Sequence, residues 1–406
     1  MTDYSAVRLQ SPWRKDFPAL THLREHNQTY LDSAATSQKP QAMIDNLRDY
    51  YQQGAANVHR GQYWRADTVT AAFERSREQV ARWLGASAEQ IVFTRGTTEA
   101  LNLLAYQLES HVQPDDEIVI SALEHHANLL PWQQLAQRRQ ARLVVLPLTA
   151  EGRLDEQAAH ALITERTRIL AISQLSNVLG VQLPIKALIQ RAKSFGAWTV
   201  VDGAQGAVHL PETPESLGCD FYALSAHKLY GPEGIGALYG RAEAFEALTP
   251  WQFGGEMVEQ AQYQKAQFRA MPMALEAGTP AIGPALGWAA SLSYLQDQDL
   301  TAIAQHEHAL LQQLLAGFAR RPHIQLLAKP DHALASFIVS GCHSHDVSQL
   351  LSEQGVSLRS GRHCAHPLFQ ALGHPSALRV SLALYNDSDD LQHFFCALDN
   401  ALELLQ

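Results

Sequence analysis

The amino-acid sequence predicts an α/β protein whose large domain is built on a mostly parallel sheet, joined to a smaller C-terminal α+β domain. Three observations carry this expectation. Between about residues 90 and 240, short β-rich runs alternate with helical ones, the pattern of parallel strands linked by crossovers. Beyond the turn-rich EAGTPAIGP (276–284) the texture changes to two long helical runs followed by short strands. The 406 residues, 46% of them hydrophobic, suffice for two packed cores. The expected division is 27–285 for the large domain and 286–406 for the small one, with 1–26 packed on the latter.

In order, QIVFTRG (90–96) reads as a strand running into a turn, and TTEALNLLAYQLES (97–110) as the helix that the turn opens. EIVISALEHH (117–126), ARLVVLPL (141–148) and RILAISQLSN (168–177) read as buried strands, and PIKALIQRAKSFG (184–196) as an amphipathic helix. WTVVDGAQ (198–205), DFYALSAHK (220–228) and GIGALYG (234–240) complete the sheet. Further on, GWAASLSYLQDQDL (287–300) and HEHALLQQLLAGFARR (306–321) predict helices, SFIVSG (336–341) and ALRVSLALYN (377–386) strands, and DDLQHFFCALDNALELL (389–405) a final helix.

The net charge of -10 and pI near 6.0 argue against nucleic acid or an anionic membrane as the main partner, because both demand a positive field. MTDYSAVRLQSPWRKDF lacks the apolar core of a secretory signal, and no run approaches the ~20 apolar residues of a membrane helix, so the cytoplasm is the expected location. Cys219, Cys342, Cys364 and Cys396 form no CxxC pair and are too sparse for a disulfide framework or zinc ribbon. Within FFCALDNALELL, Cys396 reads as a small buried residue.

The chemistry concentrates at strand ends. Lys228 in SAHKLYGP follows one strand, and Asp202 in VDGAQ ends an earlier one. Such a pair suits pyridoxal phosphate: the lysine bonds the cofactor's aldehyde carbon, and the carboxylate keeps the pyridine nitrogen protonated. Thr97 and Thr98 lie in TRGTTE, where a small-residue turn opens a helix whose free N–H groups suit a phosphate, and Ser225 and His227 stand beside the lysine to complete the cradle. The adjacent His125 and His126 of EHHAN are too close together to ligate one metal ion alone; an imidazole stacked on a cofactor ring fits better, and spacing does not say which of the two it is. Cys364 lies among cationic neighbours in RSGRHCAHP (359–367), a setting that favours the thiolate.

LDSAATSQKP, NVHRG, TRGTTEALNL, EHHANLLPW, SNVLG, VDGAQGAVH, SAHKLYGPEGIG, GGEMV, LEAGTP, RSGRHCAHP and LRVSLALYN, in that order, resemble the cysteine desulfurases of the class V aminotransferase superfamily. The similarity is greatest to the group II branch with its sulfinate-desulfinase-like and selenocysteine-lyase-like enzymes. The resemblance implies the pyridoxal-phosphate fold type I. It also implies a cofactor held by Lys228, Asp202, Gln205, His125, Thr97, Thr98, Ser225 and His227, and by Thr279 reaching a neighbouring subunit in a homodimer with shared active sites. Arg379, Asn177, His59 and Arg359 would surround the substrate. Cys364, Lys228 and His125 would act in converting L-cysteine to L-alanine, a persulfide forming on Cys364 and passing to an acceptor protein of iron–sulfur or related sulfur metabolism. Cysteine sulfinate or selenocysteine as the main substrate, or an aminotransferase without sulfur transfer, are the alternative readings.

Overall fold

The computed structural model describes residues 8–405. At its centre is a seven-stranded sheet of β1 (Ile91–Thr94), β2 (Glu117–Ser121), β3 (Arg142–Leu146), β4 (Thr167–Ser173), β5 (Trp198–Asp202), β6 (Phe221–Ser225) and β7 (Gly236–Gly240). The strand order is β1-β7-β6-β5-β4-β2-β3. Of these seven, only β7 runs against its neighbours, so the mostly parallel sheet expected from sequence is observed.

Apart from the edge strand β3, where Arg142 and Val145 are exposed, the strands are apolar on both faces because helices cover both, as parallel sheets require. Ile118, Ile120, Ala171 and Val200 face Leu101, Leu104 and Trp132 on one side. The alternate residues Val119, Leu170, Ile172 and Val201 face a core that includes Phe73, Leu188, Ile189 and Trp288 on the other. Each fully buried side chain of this size contributes about 1.5–3 kcal/mol. The strand ends are therefore held rigidly, and the carboxyl ends of parallel strands are where such sheets place ligands.

The C-terminal sheet comprises β8 (Ile324–Leu326), β9 (Leu334–Val339), β10 (Arg359–Gly361) and β11 (Ala377–Ser381), antiparallel throughout in the order β8-β9-β11-β10. Leu310, Leu314, Phe318, Phe394, Phe395 and Leu398 from its helices pack against Phe337, Leu378 and Val380. The N-terminal segment docks on the last helix through Arg8–Asp389 (2.8 Å) and Arg14–Asp390 (2.7 Å). Positions 285 and 286 fall inside one helix, Ile282–Gln296, which packs on helices Gln41–Gln52 and Trp64–Trp83. Among the described residues no helix is long and apolar enough to cross a membrane.

Cys396 corrects the sequence reading: it is exposed. In the final helix Phe394, Phe395, Leu398, Ala401 and Leu402 face the core, and the 3.6-residue period leaves position 396 on the outer face. The buried thiol is Cys219, whose burial pushes its pKa up.

Candidate active site

A cavity at the carboxyl edge of the large sheet gathers residues from both sheets. Thr97, Thr98, His125, Asn177, Asp202, Gln205, Ser225, His227 and Lys228 line it from one side, and Arg359, Cys364 and Arg379 from the other. Twelve of the fourteen positions singled out from the sequence thus share one space. His59 and Thr279 are elsewhere within this chain. His59 bonds Glu74 at 2.8 Å and faces Glu256 at 3.5 Å, and Thr279 lines a separate cleft with Arg95 and Glu99.

The floor of the cavity is built from strand ends. Asp202 closes β5, is 6% exposed, and accepts a hydrogen bond at Oδ1 from the Ala204 N–H (2.9 Å). Burial raises its pKa while the charge of Lys228 pulls it down. Lys228 follows β6 and has no hydrogen bond or ion pair with any described residue. Burial lowers its pKa; Asp202 opposes this, and Arg379 and Arg359 add to it. The side-chain amide of Gln205 is tethered to the Ala34 carbonyl (2.9 Å).

The anion-binding side begins where β1 runs into helix Thr97–Gln107. Gly96, at φ +150°, is the N-cap, and a Cβ there would lie 3.1 Å from the Ser225 hydroxyl. The Thr97 N–H donates to Ser225 Oγ at 2.8 Å, and the two hydroxyls are 2.8 Å apart. Hydroxyls, N–H groups and the positive helix end thereby converge on one spot.

His125 accepts the Ala127 N–H at Nδ1 (3.0 Å), which places its ring proton on Nε2. Burial, then Lys228 and His126, drive its pKa down to about 3, so the ring is neutral at physiological pH. His227 falls to about 4, through burial and the charges of Lys228 and Lys39. The segment that carries His125 is anchored by Glu124, a residue that the sequence reading passed over. Its buried carboxylate accepts from the Ser121 hydroxyl, the Ser173 N–H and hydroxyl, and the Asn128 amide (2.6 Å). Burial pushes its pKa up to about 7 against those donors.

Arg379 and Arg359 are directly opposed in the β10–β11 register, so both leave the sheet on the same face. Like charges placed opposite one another repel, which suits an anion between them. Arg379 is 2% exposed, donates to the Asn177 carbonyl (2.9 Å) and pairs with Asp32 (2.8 Å), while its Nε has no partner among the described residues. Burial lowers its pKa and Asp32 opposes the shift. Asp32 lies within LDSAATSQKP, but nothing in that string points to a partner 347 positions away.

Cys364 sits just beyond β10 in an exposed loop. Both His363 (φ 46°) and Cys364 (φ 56°) adopt the left-handed backbone that bulky residues rarely tolerate. His363, read from sequence as one of the cationic neighbours of Cys364, is instead buried, and neither ring nitrogen has a hydrogen-bond partner among the described residues. Burial, with Arg379 and Arg359, lowers its pKa to about 3.

These shifts set a pH dependence. Folded pKa values near 3, 4 and 3 for His125, His227 and His363, against 6.5 when unfolded, mean that the unfolded chain binds more protons just below pH 6.5. Stability then falls as pH falls through that window. His126 and His332 shift in the same direction, and the raised carboxyls of Glu124, Asp202 and Asp387 oppose them. Denaturant midpoints at about pH 7.5 and about pH 5.5 should show the acidic sample less stable, and His363→Asn should flatten the difference.

The donor set fits pyridoxal phosphate. An amine without an anionic partner faces the cavity, a buried carboxylate lies within its field, and a helix N-terminus with hydroxyl donors forms the wall. Lys228 could bond the aldehyde, Asp202 could pair with the pyridine nitrogen, and Thr97, Thr98, Ser225 and His227 could hold the phosphate.

Known proteins resemble the chain in the same terms. The aminotransferase class-V family profile matches residues 29–394. A probable cysteine desulfurase of Pseudomonas putida is 58% identical, across 98% of this chain and 99% of that one. The crystal structure of the cysteine desulfurase CsdA (S-sulfonic acid) from Escherichia coli superimposes with a TM-score of 0.90 at 43% identity, covering 97% of this chain and 98% of that one. The apo structure of a cysteine desulfurase from Thermococcus onnurineus superimposes with a TM-score of 0.92 at 35% identity, covering 98% and 99%. Fold, catalytic-edge chemistry and kinship agree, and the chain belongs to the cysteine desulfurases of the class-V aminotransferases, a family of pyridoxal-phosphate enzymes.

Proposed function

We propose that the chain converts L-cysteine to L-alanine and takes the sulfur onto Cys364 as a persulfide. The observation that carries this reading is the placement of Lys228 and Cys364 on opposite walls of one cavity, the lysine without an anionic partner and the thiol exposed. When bound, pyridoxal phosphate supplies an aldehyde carbon for the substrate amine and an electron-withdrawing ring that stabilises negative charge at the substrate's α-carbon.

The protein's own groups do the rest. Arg379 and Arg359 offer guanidinium forks to the substrate carboxylate, with Asn177 and Asp32 fixing the direction of Arg379. Lys228 Nζ, whose amine burial makes easier to deprotonate, takes the α-proton. His125, with its proton at Nε2, would face the ring of a bound cofactor from the cavity wall. Cys364 Sγ, as thiolate, attacks the substrate sulfur. The new S–S bond forms as the Cβ–S bond breaks, the electron pair stays with the carbon fragment, and that fragment gains protons to leave as alanine. Cysteine and the Cys364 thiol thus become alanine and a Cys364 persulfide.

The persulfide then passes to an acceptor thiol. A homodimer in which Thr279 serves the neighbouring site is part of the proposal; its support is that Thr279 lies outside this chain's own cavity. His59 is proposed to act near substrate on the same across-subunit basis. A division into a large and a small domain, with the boundary moved from 285 to the end of helix Ile282–Gln296, placement in the group II branch and a cytoplasmic location belong to the same reading. A product assay tests the function: with L-cysteine and a reductant the protein should yield equal alanine and sulfide. Transfer of the amino group to a keto acid, without sulfide, would identify an aminotransferase instead.

A further inference from the structure

The second histidine of EHHAN, His126, does not line the Lys228 cavity. It lies in a neighbouring groove with Tyr106, Glu109, Leu130 and Arg138, and its contacts run to the cysteine loop. Its backbone N–H donates to the Cys364 carbonyl at 2.7 Å. Its Nε2 accepts the His366 N–H at 3.1 Å, and the two rings meet edge to face with centroids 4.7 Å apart. Asn177 adds a third fastening, from its side-chain amide to the His363 carbonyl (2.9 Å). Three bonds from the rigid edge of the large sheet thus pin a loop that carries two left-handed residues.

We propose that His126 is a positioning residue, whose imidazole clamps the loop so that Cys364 Sγ meets the substrate sulfur. The proposal rests on the reading of Cys364 as the sulfur-accepting thiol. Accepting at Nε2 requires a neutral ring protonated at Nδ1. A protonated His126 has no acceptor at Nε2 and loses that bond. The titratable groups around it are His366 on the loop, His125 and the buried Glu124 on its own segment, and Glu109 and Arg138 across the groove, which pair with each other at 2.8 Å. Burial and His366 lower its pKa, so the clamp is present at neutral pH and released on acidification.

The test separates the two halves of the reaction in the holoenzyme. His126→Leu removes the acceptor and His126→Gln returns an oxygen near the Nε2 position; the backbone bond survives in both. Loss of one net hydrogen bond predicts a roughly three- to tenfold slower appearance of Cys364 persulfide in His126→Leu. The cofactor's spectral response to L-cysteine should be unchanged, as should turnover of cysteine sulfinate, whose sulfur group leaves without a thiol. His126→Gln should recover most of the rate and show a weaker acidic fall than the wild type. Wild-type persulfide kinetics in His126→Leu would overturn the proposal. So would an equal loss on both substrates, which marks a general structural defect. A wild type that forms no Cys364 persulfide would instead overturn the functional reading.

Discussion

Lys228→Ala protein is expected to bind its cofactor non-covalently and to lose turnover with L-cysteine by roughly 10²–10⁴-fold or more, the range that a positioned proton-transfer group supplies. Lys228 makes no hydrogen bond or ion pair with a described residue, and its removal takes away the charge that lowers the pKa of Asp202, so the fold should survive, and a melting curve close to that of the wild type would make the loss chemical. Reduction with borohydride followed by peptide mass analysis checks the attachment: the wild type should carry the cofactor on Lys228 and the variant should not. A variant that keeps most of its activity would remove the lysine from the mechanism.

Cys364→Ala is the second large effect. An oriented intramolecular group reaches effective molarities of about 10⁵ M or more, so millimolar free thiol replaces only a small fraction of it. The variant should bind cofactor normally and lose nearly all cysteine turnover while keeping much more activity on cysteine sulfinate. Cys364 is exposed and the variant deletes only its sulfur, so stability should hardly change. Equal losses on both substrates would contradict the nucleophile role. Cys396→Ala is a useful control, since that exposed thiol lies on the outer face of the last helix.

Much of this was legible in the sequence because buried parallel strands read as apolar runs and their carboxyl ends carry the polar residues. Asp202, Ser225 and Lys228 each follow such a run, and the structure brings them to one edge. Partners fixed by tertiary packing were not legible. Asp32 reaches Arg379 only because residues near the N-terminus run alongside β11, where Asp32 bridges to Ser381. Glu124 acquires its donors from β2, β4 and its own turn. Cys396 was misread because the apolar composition of FFCALDNALELL hides which side of the helix faces in. Where the texture of the sequence changes near 285, helix Ile282–Gln296 runs straight through and packs on the large domain.

The central claim is that Cys364 takes the sulfur that the Lys228 site loosens. Its most direct measurement is the mass of the Cys364 peptide after a single turnover with L-cysteine and no acceptor, alongside the alanine released. One added sulfur on Cys364 for each alanine is the predicted result; alanine formed with Cys364 unmodified, or with the sulfur on Cys396, would contradict it.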